Sequence, residues 1–398
     1  MSTIQSNDIV VNEPNRWRLE TPGHGGWPRT ARPGAANKYF MISADCHANE
    51  PATLWAERID TQYRDRIPRI VVDAQGVQWR VSEGHRPDRL RLSDLEGEDQ
   101  TRAKAGADPH DRLRDHARDG IDGEVIFPNK GLSMWATPDP VFAQAQCRVW
   151  NEWAWETFGP YVDRLSPAAL ATGDLEGSIA EVQRVAKQGF RFLTLPCKPI
   201  WGAHDVEHPN YNLPLFDPLW AAIQDADLGI TFHVSTGRDP RAARGNGGAV
   251  INYVSHSLSP TIEPVANLCA SGVLERFPRL RFATIEAGIG WIPWLLGAMD
   301  EAYLKHHFWV RPKLSKLPSE YFRLHGFASF QEDKPGLDLA ERYTLVDNLM
   351  WGNDYPHHEG TWPHSAEAIE RTMGGLSDAA RAKVLGLNAA RFFGFRVP

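Results

Sequence analysis

The chain has 398 residues, 42% of them hydrophobic and 23% charged, with a formal net charge of −7. That length accommodates one large α/β domain or two ordinary ones. The absence of any eighteen-residue apolar run excludes a membrane-spanning helix, and the negative charge excludes a general attraction to nucleic acid.

Residues 1–37 are polar and rich in Pro and Gly, and read as an N-terminal arm. Their opening stretch has no apolar core of a secretory signal. Four scattered cysteines (Cys46, Cys147, Cys197, Cys269) without a CxxC pair fit reduced thiols, so a cytoplasmic location is expected. From residue 38 to 398 the pattern alternates strand and helix. Apolar runs fall at 40–45, 123–128, 165–172, 190–196, 229–234, 280–286, 326–330 and 349–354. Helical patterns lie between them, clearest at 174–189, 213–229 and 262–277, the first capped by Asp174 and closed by Gly189. Eight strands alternating with helices predict a parallel α/β sheet, and eight is the number that closes a (β/α)8 TIM barrel. Residues 73–112, charged and rich in Gly and Asp, interrupt the pattern after strand one. They read as an insertion over the barrel mouth, a lid or subunit contact, or else as a solvated excursion.

In such a barrel the C-terminal strand ends converge on one mouth. Strand one ends in Asp45 and His47, two residues apart and therefore on one face. Strand five ends in His233, strand six in Glu286 and strand eight in Asp354. A single strand-end Asp usually caps the next helix, and a single His is usually a packed core residue. Five such groups on four strand ends point to a metal site, and imidazole with carboxylate suits zinc, manganese or iron. The loop after strand five offers Arg238, Arg241 and Arg244 beside a Gly-rich turn. They read either as a fork for a carboxylate or phosphate, or as solvated residues paired with helix acids. The loop after strand four brings Trp201 as a candidate substrate contact, and its Cys197 reads as a packed thiol rather than a nucleophile.

The Asp45-x-His47 end followed by "ANEP", the lone His233, "FPRLRFATIEAGIGWIPW" and the closing "WGNDYPHHEGTWPHS" resemble the amidohydrolase-related family. This branch of the amidohydrolase superfamily includes aminocarboxymuconate-semialdehyde and resorcylate decarboxylases. The resemblance spans roughly residues 40–395. It implies a metal-dependent hydrolase type of barrel, with a divalent ion held by Asp45, His47, His233 and Asp354. Two departures add negative charge. Glu286 stands where many members have a catalytic His, and strand one carries Asp-x-His where His-x-His is usual. Either Glu286 is a protonated acid/base, or it is shared with a second ion. Further histidines with reach to the mouth are His256, His307, His325 and His357.

The first expectation is thus a metal-dependent enzyme that hydrolyses or non-oxidatively decarboxylates a small organic acid. Asp354, Glu286 and His256 are its candidate proton carriers, and the loop arginines its substrate clamp. The second is a dinuclear iron monooxygenase acting on a carboxylic acid or acyl-CoA, resembling TIM-barrel diiron oxygenases, with Glu286 and one or two of His256, His307 and His357 completing the ligand set. A binding protein on a retired barrel is the third, though it predicts degraded strand ends and these are intact. A small carboxylate or acyl thioester is the expected partner. A homodimer through the insertion or "HHFWVRPKL" (306–314) is the expected assembly.

Overall fold

The computed structural model describes residues 39–90, 95–172, 174–199, 210–237, 243 and 245–397. The arm at 1–37, Trp201, Arg238, Arg241 and Arg244 lie outside the described residues.

The eight expected strands form one parallel circuit. Strand one comes in two pieces, Ile42–Ser43 and His47–Ala48, each paired with strand two, Gly123–Pro128. Strand three is likewise split. Leu165–Pro167 pairs with strand two and Ala169–Leu170 with strand four, Phe192–Leu195. Strands five (Gly229–His233), six (Phe282–Ile285), seven (Gly326–Phe330) and eight (Leu349–Trp351) follow in register. The seam between eight and one is closed by Ala44 N–H donating to the Trp351 carbonyl at 2.9 Å, Asp354 N–H donating to the Asp45 carbonyl at 2.9 Å, and a parallel bridge between Cys46 and Tyr355. The chain therefore folds as a TIM barrel. Every residue of strands two, five and seven is buried, which is why these runs are continuously apolar instead of alternating.

Aromatic side chains fill the barrel floor. The C-terminal helix Asn388–Phe393 joins Phe127, Phe192, Ile285 and Met350 in one buried cluster. Phe392 packs on Gly229 at the start of strand five and Phe395 on Gly123 at the start of strand two. A Cβ added there would lie 3.0 and 3.2 Å from those rings. Water is thus shut out from below, and polar groups at the strand ends face only the opposite rim.

The outer helices follow their sequence signals. Asp174 accepts the Gly177 amide at 2.6 Å and caps Leu175–Gln188, which ends at Gly189 with φ 109°. The pattern at 262–277 breaks into Ile262–Ala270 and Val273–Arg276 around Gly272, φ 79°. Among the described residues, no helix is long and apolar enough to cross a membrane.

The excursion after strand one is more ordered than its composition predicts. A three-stranded antiparallel sheet (Arg69–Val72, Gln78–Val81, Asp88–Arg89) begins before residue 73. Two helices follow, Gly97–Lys104 and Pro109–Asp119, the second capped by Asp108 and running past residue 112. Several of the excursion's charged side chains are buried and paired: Glu98, Arg102, Arg112 and His116 are all at most 1% exposed.

Candidate metal centre

Strand one positions the first two donors. Asp45 and His47 face the barrel axis, and both are 1% exposed. Cys46 points away, its thiol 3.1 Å from Ser43 Oγ and 3.2 Å from Asn353 Oδ1. Alternation along an extended chain accounts for the split. The following "ANEP" is structural. The Glu50 carboxylate accepts the Lys130 and Gly131 amides at 2.9 and 3.0 Å, tying strand one's exit to the loop after strand two.

His47 Nδ1 lies 3.0 Å from the Pro128 carbonyl, and His233 Nδ1 lies 3.0 Å from the Val234 carbonyl. A carbonyl only accepts, so in each ring Nδ1 carries the hydrogen and Nε2 turns its lone pair into the cluster. There His47 Nε2 is 3.6 Å from Asp45 Oδ1, 3.6 Å from Glu286 Oε2 and 3.5 Å from Asp354 Oδ1. His233 Nε2 is 3.3 Å from Asp45 Oδ1 and 3.5 Å from Glu286 Oε2. The five groups expected at the mouth are therefore brought together.

His357 joins them. Its ring stacks on His47 with centroids 4.0 Å apart, and its Nδ1 is 3.0 Å from Asp354 Oδ1. Two overlapping sets of donors result: Asp45, His47, His233 and Glu286, and then His47, Glu286, Asp354 and His357. Within each set the donor atoms all lie within 4.8 Å of one another.

The other candidates sit elsewhere. His256 is on the turn Asn252–Leu258, its Nδ1 3.1 Å from Asn252 Oδ1, and it belongs to neither set. His307 is exposed beyond the helix Ile292–Lys305, with Nδ1 on the Leu304 carbonyl and its ring on Phe308. It is not a ligand of this cluster, because the helix carries it away from the rim. His325 immediately precedes strand seven and bonds to the Leu280 carbonyl, at the opposite end of the barrel from the mouth. Cys197 is a packed thiol beside Thr236 and the His233 carbonyl, its pKa pushed up to about 12 by burial.

Three features had weaker signals or none. Glu286 and Asp354 both have positive φ, 59° and 53°, in the left-handed region that non-glycine residues rarely occupy. Tertiary bonds hold them there: Glu286 N–H donates to Ser329 Oγ at 3.0 Å, and Asp354 N–H to Asp45 O. Tyr253, on the turn carrying His256, is close enough to Glu286, Asp354 and Asp45 that their charges help burial push its pKa up. Beside the rim, a small cleft of about 20 Å³, room for roughly one water, is lined by Gly131, Met134, Trp135, Leu170, Leu195 and Thr236. Thr236 Oγ1 donates to the His233 carbonyl at 2.6 Å, so the cleft shares a wall with the donor strand.

Electrostatics tests whether an ion fits. Without one, Asp354 is pushed well above the usual carboxylate range by burial and then by Asp45. Burial and the Asp354 charge lift Glu286 to about 7. Burial works against His47's charge, but bonds to Asp45 and Glu286 outweigh it and raise its pKa well above the ordinary value. The ion-free cluster thus collects protons to offset its own negative charge. Asp45 Oδ2, His47 Nε2 and Asp354 Oδ2 are buried without a hydrogen-bond partner, and the approach of His357 Nδ1 to Asp354 Oδ1 lacks hydrogen-bond geometry, which leaves those two atoms unsatisfied as well. Buried polar atoms are rarely left so. Converging lone pairs, excess negative charge and unsatisfied donor atoms fit a divalent cation.

A family model described as amidohydrolase matches residues 44–395. The chain belongs to the amidohydrolase family. No curated protein matches it. Solved structures of the same fold do. An amidohydrolase from Mycobacterium avium subsp. paratuberculosis K-10 is 19% identical, with a TM-score of 0.71, over 90% of this chain and 100% of that one. The 5-carboxyvanillate decarboxylase LigW from Sphingomonas paucimobilis is 21% identical, with a TM-score of 0.63, over 90% and 100%. A dihydroxybenzoic acid decarboxylase from Polaromonas sp. JS666, solved with bound manganese and 2-nitroresorcinol, is 17% identical, with a TM-score of 0.61, over 89% and 97%. For this amidohydrolase-family enzyme the shared barrel explains why donors scattered from residue 45 to residue 357 meet at one rim.

Proposed function

We propose that the protein is a divalent-metal-dependent enzyme that decarboxylates, or hydrolyses a derivative of, a small organic acid. The observation that carries this reading is the buried cluster of three carboxylates and three imidazoles with five unsatisfied donor atoms. When bound, a divalent ion supplies concentrated positive charge that polarises substrate oxygens and acidifies water. Asp45, His47 and His233 of the first set, joined by Asp354 of the second, would hold it, and Glu286 lies within reach of it in both sets. Glu286 faces both imidazoles at 3.6 and 3.5 Å, and a carboxyl so placed suits a group that donates and recovers a proton. The small cleft beside His233 is too tight for an organic substrate, whose body would lie over the rim instead. Arg238, Arg241, Arg244 and Trp201 stay candidates for gripping its carboxylate, and His256 for a second proton carrier. The bound manganese and aromatic-acid substrates named for the solved relatives support decarboxylation as the first chemistry to assay.

One observation favours a second reading. The two donor sets share Glu286, whose carboxylate could bridge two ions, whereas His47, with Nδ1 on the Pro128 carbonyl, offers its one lone pair to a single ion. Against three carboxylates, one dication leaves the cluster negative and two leave it positive. A dinuclear iron oxygenase acting on a carboxylic acid or acyl thioester would use that arrangement. Elemental analysis of anaerobically purified protein, followed by carbon dioxide release and oxygen uptake with candidate acids, separates the two. One zinc or manganese per chain with carbon dioxide release supports the first. Two irons with oxygen uptake supports the second, and full activity in ion-free protein overturns both.

A further inference from the structure

We infer that the excursion after strand one is a built part of the metal centre, with Arg102 and Arg112 as positioning residues for its donors. The inference rests on the metal centre proposed above.

Both guanidinium groups are fully buried. Arg112, on the helix Pro109–Asp119, sets its fork on the Glu124 carboxylate at 2.5 and 2.9 Å. Its Nη1 donates to the backbone carbonyl of His47 at 2.7 Å and to that of Gly106 at 2.6 Å. The other side of the His47 peptide is held too, since its N–H donates to the Tyr355 carbonyl at 2.6 Å. Tyr355 also lies under the guanidinium, its ring centroid 4.9 Å away. Arg112 thereby joins strand two, the backbone of a donor on strand one and the residue after Asp354.

Arg102, on Gly97–Lys104, does the same for the strand-eight loop. Its Nη2 pairs with Glu98 at 2.5 Å, and Nη1 donates to the His358 and Gly360 carbonyls at 2.9 and 3.0 Å. These carbonyls lie one and three residues after His357. His364, 3.1 Å from Glu98, closes the network from the far side of the loop. Asn49 Nδ2, two residues past His47, donates to the Ala105 carbonyl at the end of the same helix.

Burying a guanidinium carries a desolvation penalty that its contacts must offset, and apolar side chains of similar size hold a fold together as well or better. What the apolar alternative lacks is a planar array of donors that binds a carboxylate on one edge and carbonyls on another. At both sites that edge meets the backbone of a donor-bearing segment. Shells of this kind orient ligands, and disturbing them typically costs 10–100-fold in metal affinity.

The test titrates ion-free full-length protein with Co²⁺, following its visible d–d absorption and its affinity by chelator competition, alongside a thermal melt. Arg102→Met and Arg112→Met are each expected to bind Co²⁺ 10–100-fold more weakly, with an altered spectrum. Arg66→Met is the control. Arg66 belongs to the same excursion region and pairs with Glu83 and Asp139, but touches no donor segment, so affinity and spectrum should match wild type. A purely structural role lowers the melting temperature while leaving spectrum and affinity unchanged, and that result overturns the inference. Should Arg112→Met not fold, Arg112→Lys decides. It keeps the charge without the fork, and an unaltered Co²⁺ spectrum there is equally fatal. Wild-type protein that binds no Co²⁺ refutes the metal centre itself, a different failure.

Discussion

Glu286→Gln should stabilise the ion-free protein and lose most of that advantage once metal is bound. In ion-free protein, burial first and the Asp354 charge second raise this carboxyl from 4.5 to about 7. Below pH 4.5 it is neutral in folded and unfolded chains alike and contributes nothing. As pH rises through this window the unfolded chain ionises first, so folding carries a growing penalty that levels off above pH 7. Its plateau is roughly 3 kcal/mol, at 1.36 kcal/mol per pH unit. Glutamine cannot ionise and removes the penalty. With an unfolding entropy of about 2.1 cal/mol/K per residue, the ion-free variant should melt roughly 4 °C higher than wild type at pH 8 and equally at pH 4. With metal the charged oxygen becomes an asset. A hundredfold loss of affinity removes about 2.7 kcal/mol of ligand-linked stabilisation, so the rise in Tm on adding Mn²⁺ should be roughly 3 °C smaller in the variant. Melts in chelator and in excess Mn²⁺, at both pH values, decide it. A variant that melts no higher than wild type in chelator at pH 8, or gains the same increment from Mn²⁺, refutes the reasoning.

Paired histidine variants should separate donor from bystander: His233→Ala loses bound metal by elemental analysis, whereas exposed His307→Ala retains wild-type content. Glu124 gives acid sensitivity of the opposite sign to Glu286. Burial opposes its charge, but Arg112 and His116 outweigh that and hold its pKa at about 2, against 4.5 ordinarily. Its stabilisation is complete above pH 4.5 and disappears as pH falls toward 2, amounting to roughly 3 kcal/mol. Urea unfolding of Glu124→Gln and wild type should therefore converge between pH 5 and 3; a constant gap contradicts this. All four thiols are buried, and burial raises their pKa values. Native protein at pH 8 should accordingly leave a thiol reagent unreacted over minutes while urea-unfolded protein reacts at four sites. Rapid native labelling would falsify the packing described here.

Much of the barrel and the rim was legible in sequence because the signals are local. Doubly buried strands leave continuous apolar runs, and the first polar residue after each run marks the rim. Asp45, His47, His233, Glu286 and Asp354 were readable on that basis. Caps such as Asp174 and Gly189 are likewise properties of a few neighbouring residues. Where a loop residue ends up is not local. His357 and His307 look alike in sequence, both in His-His pairs, yet one stacks on His47 and the other faces solvent. The left-handed backbone of Glu286 and Asp354 arises from bonds to Ser329 and Asp45, remote in the chain. The excursion is the sharpest case. Composition counts charges and cannot tell a solvated arginine from one whose carboxylate partner is Glu124 on strand two. Sequence alone determined which chemical groups stand at the strand ends, because burial along a strand is written in its residues. Only tertiary structure decided which loop histidine joins them and what braces them, since those depend on long-range closure that no local pattern encodes.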